Sequence, residues 1–219
     1  MSKVVYEYVE EHIRSLIPKN DELLSSMREY ANINHIPIVE EETEKFIKFI
    51  IEIKRPKKVL ELGTAIGYSA ISFTENSTVE NFKTVEIRED MVKIARENIK
   101  NKNLEDKIEI INMDAYEFLL SMQDEKFDII FIDAAKGQYE KYFNLAVNHL
   151  NKSGIIICDN VLFRGMISNQ DLVVRRKITI VKRLRKFLKY ISESDIYTSS
   201  IVPIGDGVIL IKRKDDGEN

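Results

Sequence analysis

Residues that staple or ligate small domains are nearly missing from this chain. Its one cysteine, Cys158, has no partner for an internal disulfide and cannot build a zinc cluster. Histidine occurs only at His12, His35 and His149, none of them beside the motifs described below, so a histidine general base is not expected. No apolar run approaches the ~20 residues of a membrane span, and the polar, amphipathic N-terminus has no secretory pattern. These absences point to a soluble cytoplasmic chain. Glycine numbers 8, roughly half its usual ~7% share. Gly63 and Gly67 fall close together, as do Gly205 and Gly207, so glycine marks particular turns. Neither charge sign dominates: 33 Lys and Arg face 36 Asp and Glu, a net of −3, which by itself speaks against a nucleic-acid partner. What is present is globular, with 44% hydrophobic and 32% charged residues over a length that suits one domain, residues 1–219.

Residues 1–55 read as a helical N-terminal extension. Val5, Tyr8, Val9, His12, Ile13, Leu16 and Ile17 form an amphipathic stripe that Pro18 interrupts. A second helical pattern runs over 41–53 and stops before Pro56. Beyond it the texture changes to short apolar runs alternating with helix-length segments. Strands are expected at 58–62, 81–87, 107–112, 127–132 and 154–158, with helices from Tyr68, over 90–100, around 116–120 and over 139–150. This rhythm predicts an α/β fold with a parallel sheet covered on both faces. After a long helix over 172–191, two strand-like runs, 195–202 and 207–211, flank a Pro203–Ile204–Gly205–Asp206 turn and predict an antiparallel pair.

In such a sheet, ligands sit beyond the carboxyl ends of the strands. After the first strand comes Glu61–Leu62–Gly63–Thr64–Ala65–Ile66–Gly67–Tyr68–Ser69. Its glycines permit a tight turn and close backbone approach to a ligand at a helix N-terminus. The spacing is G-x-x-x-G, not the G-x-G-x-x-G of dinucleotide folds. Glu86 follows the second strand, 23 residues beyond Gly63, where an acid can bond ribose hydroxyls. Asp114–Ala115 follows the third and suits the edge of an adenine ring. The fourth and fifth strands end in Asp133–Ala134–Ala135–Lys136 and Asp159–Asn160. Two carboxylates and an amide oxygen converging there suit Mg²⁺ or Ca²⁺, although Asp-Asn after a strand is also an ordinary turn signal.

Taken together, the 61–69 run, the motif from Phe131 to Tyr139, Asp159–Asn160–Val161–Leu162–Phe163–Arg164–Gly165 and Pro203–Ile204–Gly205–Asp206–Gly207 resemble the cation-dependent class I O-methyltransferases, the caffeoyl-CoA and catechol O-methyltransferase-like proteins. The Asp-Asn-Val-Leu-Phe-Arg-Gly stretch is most similar to the bacterial branch that methylates 5-hydroxyuridine at the tRNA wobble position. The resemblance implies a Rossmann-like fold with a mostly parallel seven-stranded sheet. It implies S-adenosylmethionine contacts at Val39, Gly63, Ser69, Glu86, Asp114, Ala115 and Asp133. It also implies a divalent cation, Mg²⁺, on Asp133, Asp159 and Asn160, with Asp133 and Lys136 catalytic, and a homodimer. Many relatives carry an acid two residues after the first metal ligand, where this chain has Ala135. A cation bound to two vicinal oxygens would orient an oxyanion, and Lys136 would take the proton or stabilise the anion.

Residues 175–189 carry eight Lys or Arg and no acid, leaving 25 basic against 36 acidic residues elsewhere, or −11. Val181, Leu184, Leu188 and Ile191 give this stretch a stripe to bury. Single-sign crowding favours a phosphate-rich partner. Arg175, Arg176, Lys182, Arg183 and Lys186 are therefore expected to bind RNA. The reading that follows is methylation of tRNA 5-hydroxyuridine to 5-methoxyuridine, with the tRNA anticodon region as partner and no membrane. A small-molecule catechol or hydroxycinnamoyl acceptor is the alternative.

Overall fold

The computed structural model of the chain describes residues 4–214. Residues 1–3, part of the polar N-terminus read above, and 215–219 lie outside them. The apolar runs become β1 (Lys58–Leu62), β2 (Asn81–Glu86), β3 (Ile108–Asn112), β4 (Phe127–Ile132) and β5 (Leu150–Cys158), followed by β6 (Tyr197–Val202) and β7 (Val208–Arg213). They form one sheet in the order β3-β2-β1-β4-β5-β7-β6. β1 to β5 are mutually parallel, and β7 runs antiparallel between β5 and β6. This is the Rossmann-like methyltransferase fold expected from the motifs. The chain winds one way from β1 to β2 and the other way to β4, so the crevice between β1 and β4 is the switch point.

Alternation along the strands divides the core. Leu60, Leu62, Ile130 and Ile132 face α6 (Ala115–Ser121), α7 (Tyr139–Ala146) and α8 (Ile178–Ser192). Val59, Ile129 and Phe131 belong to the second cluster, with α2 (Glu22–Ile33), α3 (Glu41–Lys54), α4 (Tyr68–Thr74) and α5 (Glu89–Asn101). α1 (Glu7–Ser15) packs against α3. No helix among the described residues is long and apolar enough to cross a membrane.

Three boundaries depart from the periodicity. α2 lies in the gap between the two N-terminal stripes. Asp21 caps it by accepting from the Leu23 and Leu24 amides, and it buries Leu24, Met27 and Ala31. Leu150 opens β5 rather than closing the preceding helix. It is buried in either assignment, so its apolar character does not distinguish them. The long helix begins at Ile178, and Arg175–Lys177 form a separate 3₁₀ turn. Its buried stripe starts only at Val181, while Leu172 and Val173 reach the core from a separate turn and do not extend the helix. Arg175 and Arg176 therefore stand off the helix expected to carry them.

Candidate active site

A cleft of about 1400 Å³ opens at the carboxyl ends of the strands. Val39, Gly63, Ser69, Glu86, Asp114 and Ala115 all line it. So do Asp133, Lys136, Asp159 and Asn160. Every residue expected at the donor and cation sites is thus brought to one cavity.

On the donor side the chain turns sharply after β1. Gly63 has φ +109, and a Cβ there would collide with the backbone carbonyl of Asp133. Gly67, at φ +81, begins α4 in the left-handed region. Glu86 accepts from the amides of Ala65 (3.0 Å) and Arg88 (2.9 Å), which ties this turn to the end of β2. Asp114 caps α6 through one oxygen, accepting from Tyr116 (2.8 Å) and Glu117 (3.2 Å). Buried Val39 gives its carbonyl to Arg28 at 3.1 Å.

Beneath these residues lies Glu61, fully buried. Ser69 donates to one of its oxygens and Thr84 to the other at 2.6 Å, with Thr64 bonded to Thr84 behind it. Burial pushes its carboxyl up to about 8, against the pull of the Ser69 and Thr84 hydrogen bonds and with a further push from the Asp133 and Glu86 charges. Because the folded value is raised, this group's stabilising contribution is complete below the ordinary carboxylate range and is lost as pH rises through about 8. Without added cation, the chain is expected to lose on the order of a few kcal/mol from this group between pH 5 and 9. Glu61→Gln should flatten that slope in urea unfolding at pH 5, 7 and 9. An unchanged slope would remove Glu61 as its source.

The second half of the cleft is built from β4 and β5, whose ends pair at Ile132 and Cys158. Each strand delivers an aspartate just past its last residue. Burial raises the carboxyls of both Asp133 and Asp159, and the Asp133 charge pushes Asp159 further up. The Lys136 charge lowers both. Asp159 accepts its neighbour's amide at 2.6 Å, and Tyr139 donates to its backbone carbonyl at 2.8 Å. Asn160 sits at φ +54, a left-handed conformation that asparagine tolerates. Its Oδ1 accepts from Lys136 Nζ at 2.6 Å and keeps a second lone pair. Among the described residues no group of three His, Cys, Asp or Glu is placed to hold a metal ion. The donor set is instead two like-charged carboxylates and an amide oxygen, held in an environment that disfavours their charge. Such an all-oxygen set fits a hard divalent cation.

The basic segment is divided by the fold. Arg176 and Lys177 line the cleft, and Lys177 stands over the Phe163 ring at 5.7 Å. Arg175 and Lys182 are exposed. Arg183 donates to the Gly137 carbonyl at 3.3 Å, and Lys186 pairs with Glu140 at 2.9 Å. Arg185 is half-buried and bonds Met166, Ile167 and Gln170. Lys182, Arg183 and Lys186 do not line the cleft. Sequence reasoning also missed the opposite wall, where α1 brings Glu10 and Arg14 to the cavity and Arg14 bonds Glu42 at 2.7 Å. Its only signal was the apolar stripe itself.

A family model described as O-methyltransferase matches residues 15–214. A Staphylococcus aureus structure provisionally named caffeoyl-CoA O-methyltransferase is 31% identical, covers 95% of this chain and all of its own, and superposes with a TM-score of 0.88. An O-methyltransferase from Bacillus cereus, solved in complex with SAH, is 26% identical, with a TM-score of 0.82 over 94% of this chain and 97% of its own. A caffeoyl-CoA O-methyltransferase from Populus kitakamiensis is 28% identical over 97% of this chain and 94% of its own length. With its fold, its motif order and this match over nearly its whole length, the chain belongs to the O-methyltransferase family.

Proposed function

We propose that the chain transfers a methyl group from S-adenosylmethionine to one hydroxyl of a small acceptor bearing a second oxygen on the adjacent carbon. This is the catechol or hydroxycinnamoyl class. The observation that carries the reading is that Asp133, Asp159, Asn160 and Lys136 line one cleft together with the Gly63 turn, which abuts the Asp133 backbone. The names of the relatives, caffeoyl-CoA O-methyltransferases, favour the same acceptor class. Asp133, Asp159 and Asn160 would hold Mg²⁺, and the cation would supply Lewis acidity that makes the acceptor hydroxyl easier to ionise. Gly63, Ser69 and Glu86 would bind the donor, with Asp133 between donor and cation. Lys136 Nζ stands 2.6 Å from Asn160 Oδ1, placed to hold the negative charge of the attacking oxygen. Much of the catalysis is then orientation of two reactants in a preformed cleft.

A polyanionic acceptor, tRNA carrying 5-hydroxyuridine, is the second reading. It is favoured by Arg176 and Lys177 on the cleft wall, neither in an ion pair among the described residues. The assay that separates the two offers a 3,4-dihydroxycinnamate probe and tRNA carrying 5-hydroxyuridine to the full chain with donor and Mg²⁺. The first reading expects the phenol to be methylated in a cation-dependent way. It also expects Arg176→Glu with Lys177→Glu to leave transfer to an uncharged catechol within about threefold, since rim charges act mainly on charged partners. No phenol product, with 5-methoxyuridine in digested tRNA, would reverse the assignment. The same reading takes the chain as a homodimer, which sedimentation measures.

A further inference from the structure

The turn between β6 and β7 lies far from the donor and cation motifs in sequence, yet it reaches into the cleft. Gly205 and Asp206 both line the cavity. The turn closes on itself through the Gly207 amide and the Ile204 carbonyl at 2.8 Å. Two of the chain's few glycines lie here because neither position has room for a side chain. A Cβ at Gly205, φ +53, would sit 2.5 Å from Thr43 Oγ1 of α3, and one at Gly207, φ +86, would collide with the Leu162 side chain. The turn is therefore wedged between the start of α3 and the loop that follows β5.

That loop, 160–165, is the segment that presents Asn160, Phe163 and Arg164 to the cleft. Its backbone is unusual: Asn160, Phe163 and Arg164 have φ of +54, +47 and +55. Residues with side chains adopt that region at a cost, and it persists where neighbouring structure holds it. The neighbour here is the turn. The Val161 amide donates to the Gly207 carbonyl at 2.9 Å, and the Leu162 amide to the Asp206 carbonyl at 3.0 Å. The Arg164 amide donates to the Asp206 side chain at Oδ1. The first two bonds would survive any side-chain change, but the third exists only because position 206 carries an acceptor of this length.

We infer that Asp206 is a positioning residue: its carboxylate, by holding the Arg164 amide, locks the 160–165 loop in the left-handed conformation that aims Asn160 and Phe163 at the acceptor. Asp206 acts through the loop and need not touch either reactant. This rests on the function proposed above, and it assigns to the hairpin turn a part in acceptor geometry. Outer-shell partners of this kind commonly change metal affinity or activity by about 10–100-fold when removed.

The test compares Asp206→Ala, which removes the acceptor, with Asp206→Asn, which keeps an oxygen at Oδ1 and removes the charge. In the full chain, Asp206→Ala is expected to weaken Mn²⁺ binding, read by electron paramagnetic resonance titration, by about tenfold. It should raise the KM for the dihydroxycinnamate probe and lower kcat, and calorimetric affinity for S-adenosylmethionine should stay within about twofold, as additivity of distant sites requires. Asp206→Asn should restore all of these to near the starting values. Amide exchange at Arg164 reads the loop without any ligand, and should accelerate in Asp206→Ala and not in Asp206→Asn. Wild-type Mn²⁺ affinity and Arg164 exchange in Asp206→Ala would overturn the inference. So would an Asp206→Asn variant as impaired as Asp206→Ala, or a parallel loss of donor binding. If the unaltered chain binds no Mn²⁺ and methylates no phenol while Arg164 exchange responds as expected, the proposed function fails and the positioning of the loop stands.

Discussion

Asp159→Asn is expected to abolish methyl transfer while making the cation-free chain more stable. Asp159 is 2% exposed, and its carboxyl stands well above the ordinary range because burial, then the charge of Asp133, oppose ionisation. Holding a charged carboxylate there costs folding free energy unless a cation compensates it. The amide keeps the shape of the side chain and an oxygen for the Asn160 amide, and it turns a donor toward the negative side of the pair. One pKa unit of such a shift corresponds to about 1.4 kcal/mol of differential stability, so urea unfolding with chelator present should show a gain on the order of 1 kcal/mol or more. Activity moves the other way. A cation's contribution to an ionising hydroxyl is several kcal/mol, so the rate with saturating donor and Mg²⁺ should fall roughly 10³-fold. Donor binding should stay within about twofold, which separates a lost cation from a collapsed site. A variant retaining more than about a tenth of the activity would show that the acceptor is not activated at Asp159.

Much of this site was legible in the sequence because chemistry in an α/β sheet collects where strands end. Five apolar runs bounded by turn residues located β1 to β5, and residues at or just beyond their ends, Gly63, Glu86, Asp114, Asp133 and Asp159, line the cleft. What the sequence concealed has particular physical causes. Glu61 sits inside the run Val59–Leu60–Glu61–Leu62, where one acid in an apolar strand does not announce that Ser69 and Thr84 will bury and bond it. Lys186 appeared to belong to an acid-free stretch, but its partner Glu140 comes from α7, 46 residues earlier. Arg185 counted as one more surface charge, yet it pins three groups of the 166–170 segment. Charge counted along the chain cannot register partners brought in by packing, so the basic segment read as more uniformly available than the fold leaves it. Asp206 read as a turn residue, because a bond from 42 positions away has no local pattern.

Gly63→Ala should be the most damaging change of a single methyl group in the chain. Two constraints coincide at this position. Its φ of +109 is a conformation that residues with side chains rarely adopt, and the added Cβ would overlap the Asp133 carbonyl oxygen and lie 2.9 Å from the carbonyl carbon. Both obstacles are backbone, and neither strand end can retreat freely. Gly63 donates to the Val85 carbonyl at 3.0 Å, and the Asp133 amide donates to Leu62 at 3.0 Å. Relief would have to separate β1 from β4 at the switch point. Strain and overlap together are expected to cost about 3 kcal/mol or more, lowering Tm by roughly 6–12 °C for a chain of this size. Donor affinity should fall more than tenfold, because the same turn lines the cleft. Gly67→Ala supplies the comparison. It shares a positive φ, +81, but its Cβ would lie 3.2 Å from the Ala95 side chain and 3.4 Å from the Ala95 Cα, a tight contact and not an overlap. It should cost about 1–2 kcal/mol, mostly from backbone strain. Equal losses of stability at the two glycines would mean that positive φ alone sets the cost. A larger loss at Gly63 would place the difference in the contact with Asp133, and hence in the close approach of β1 and β4 at the cleft.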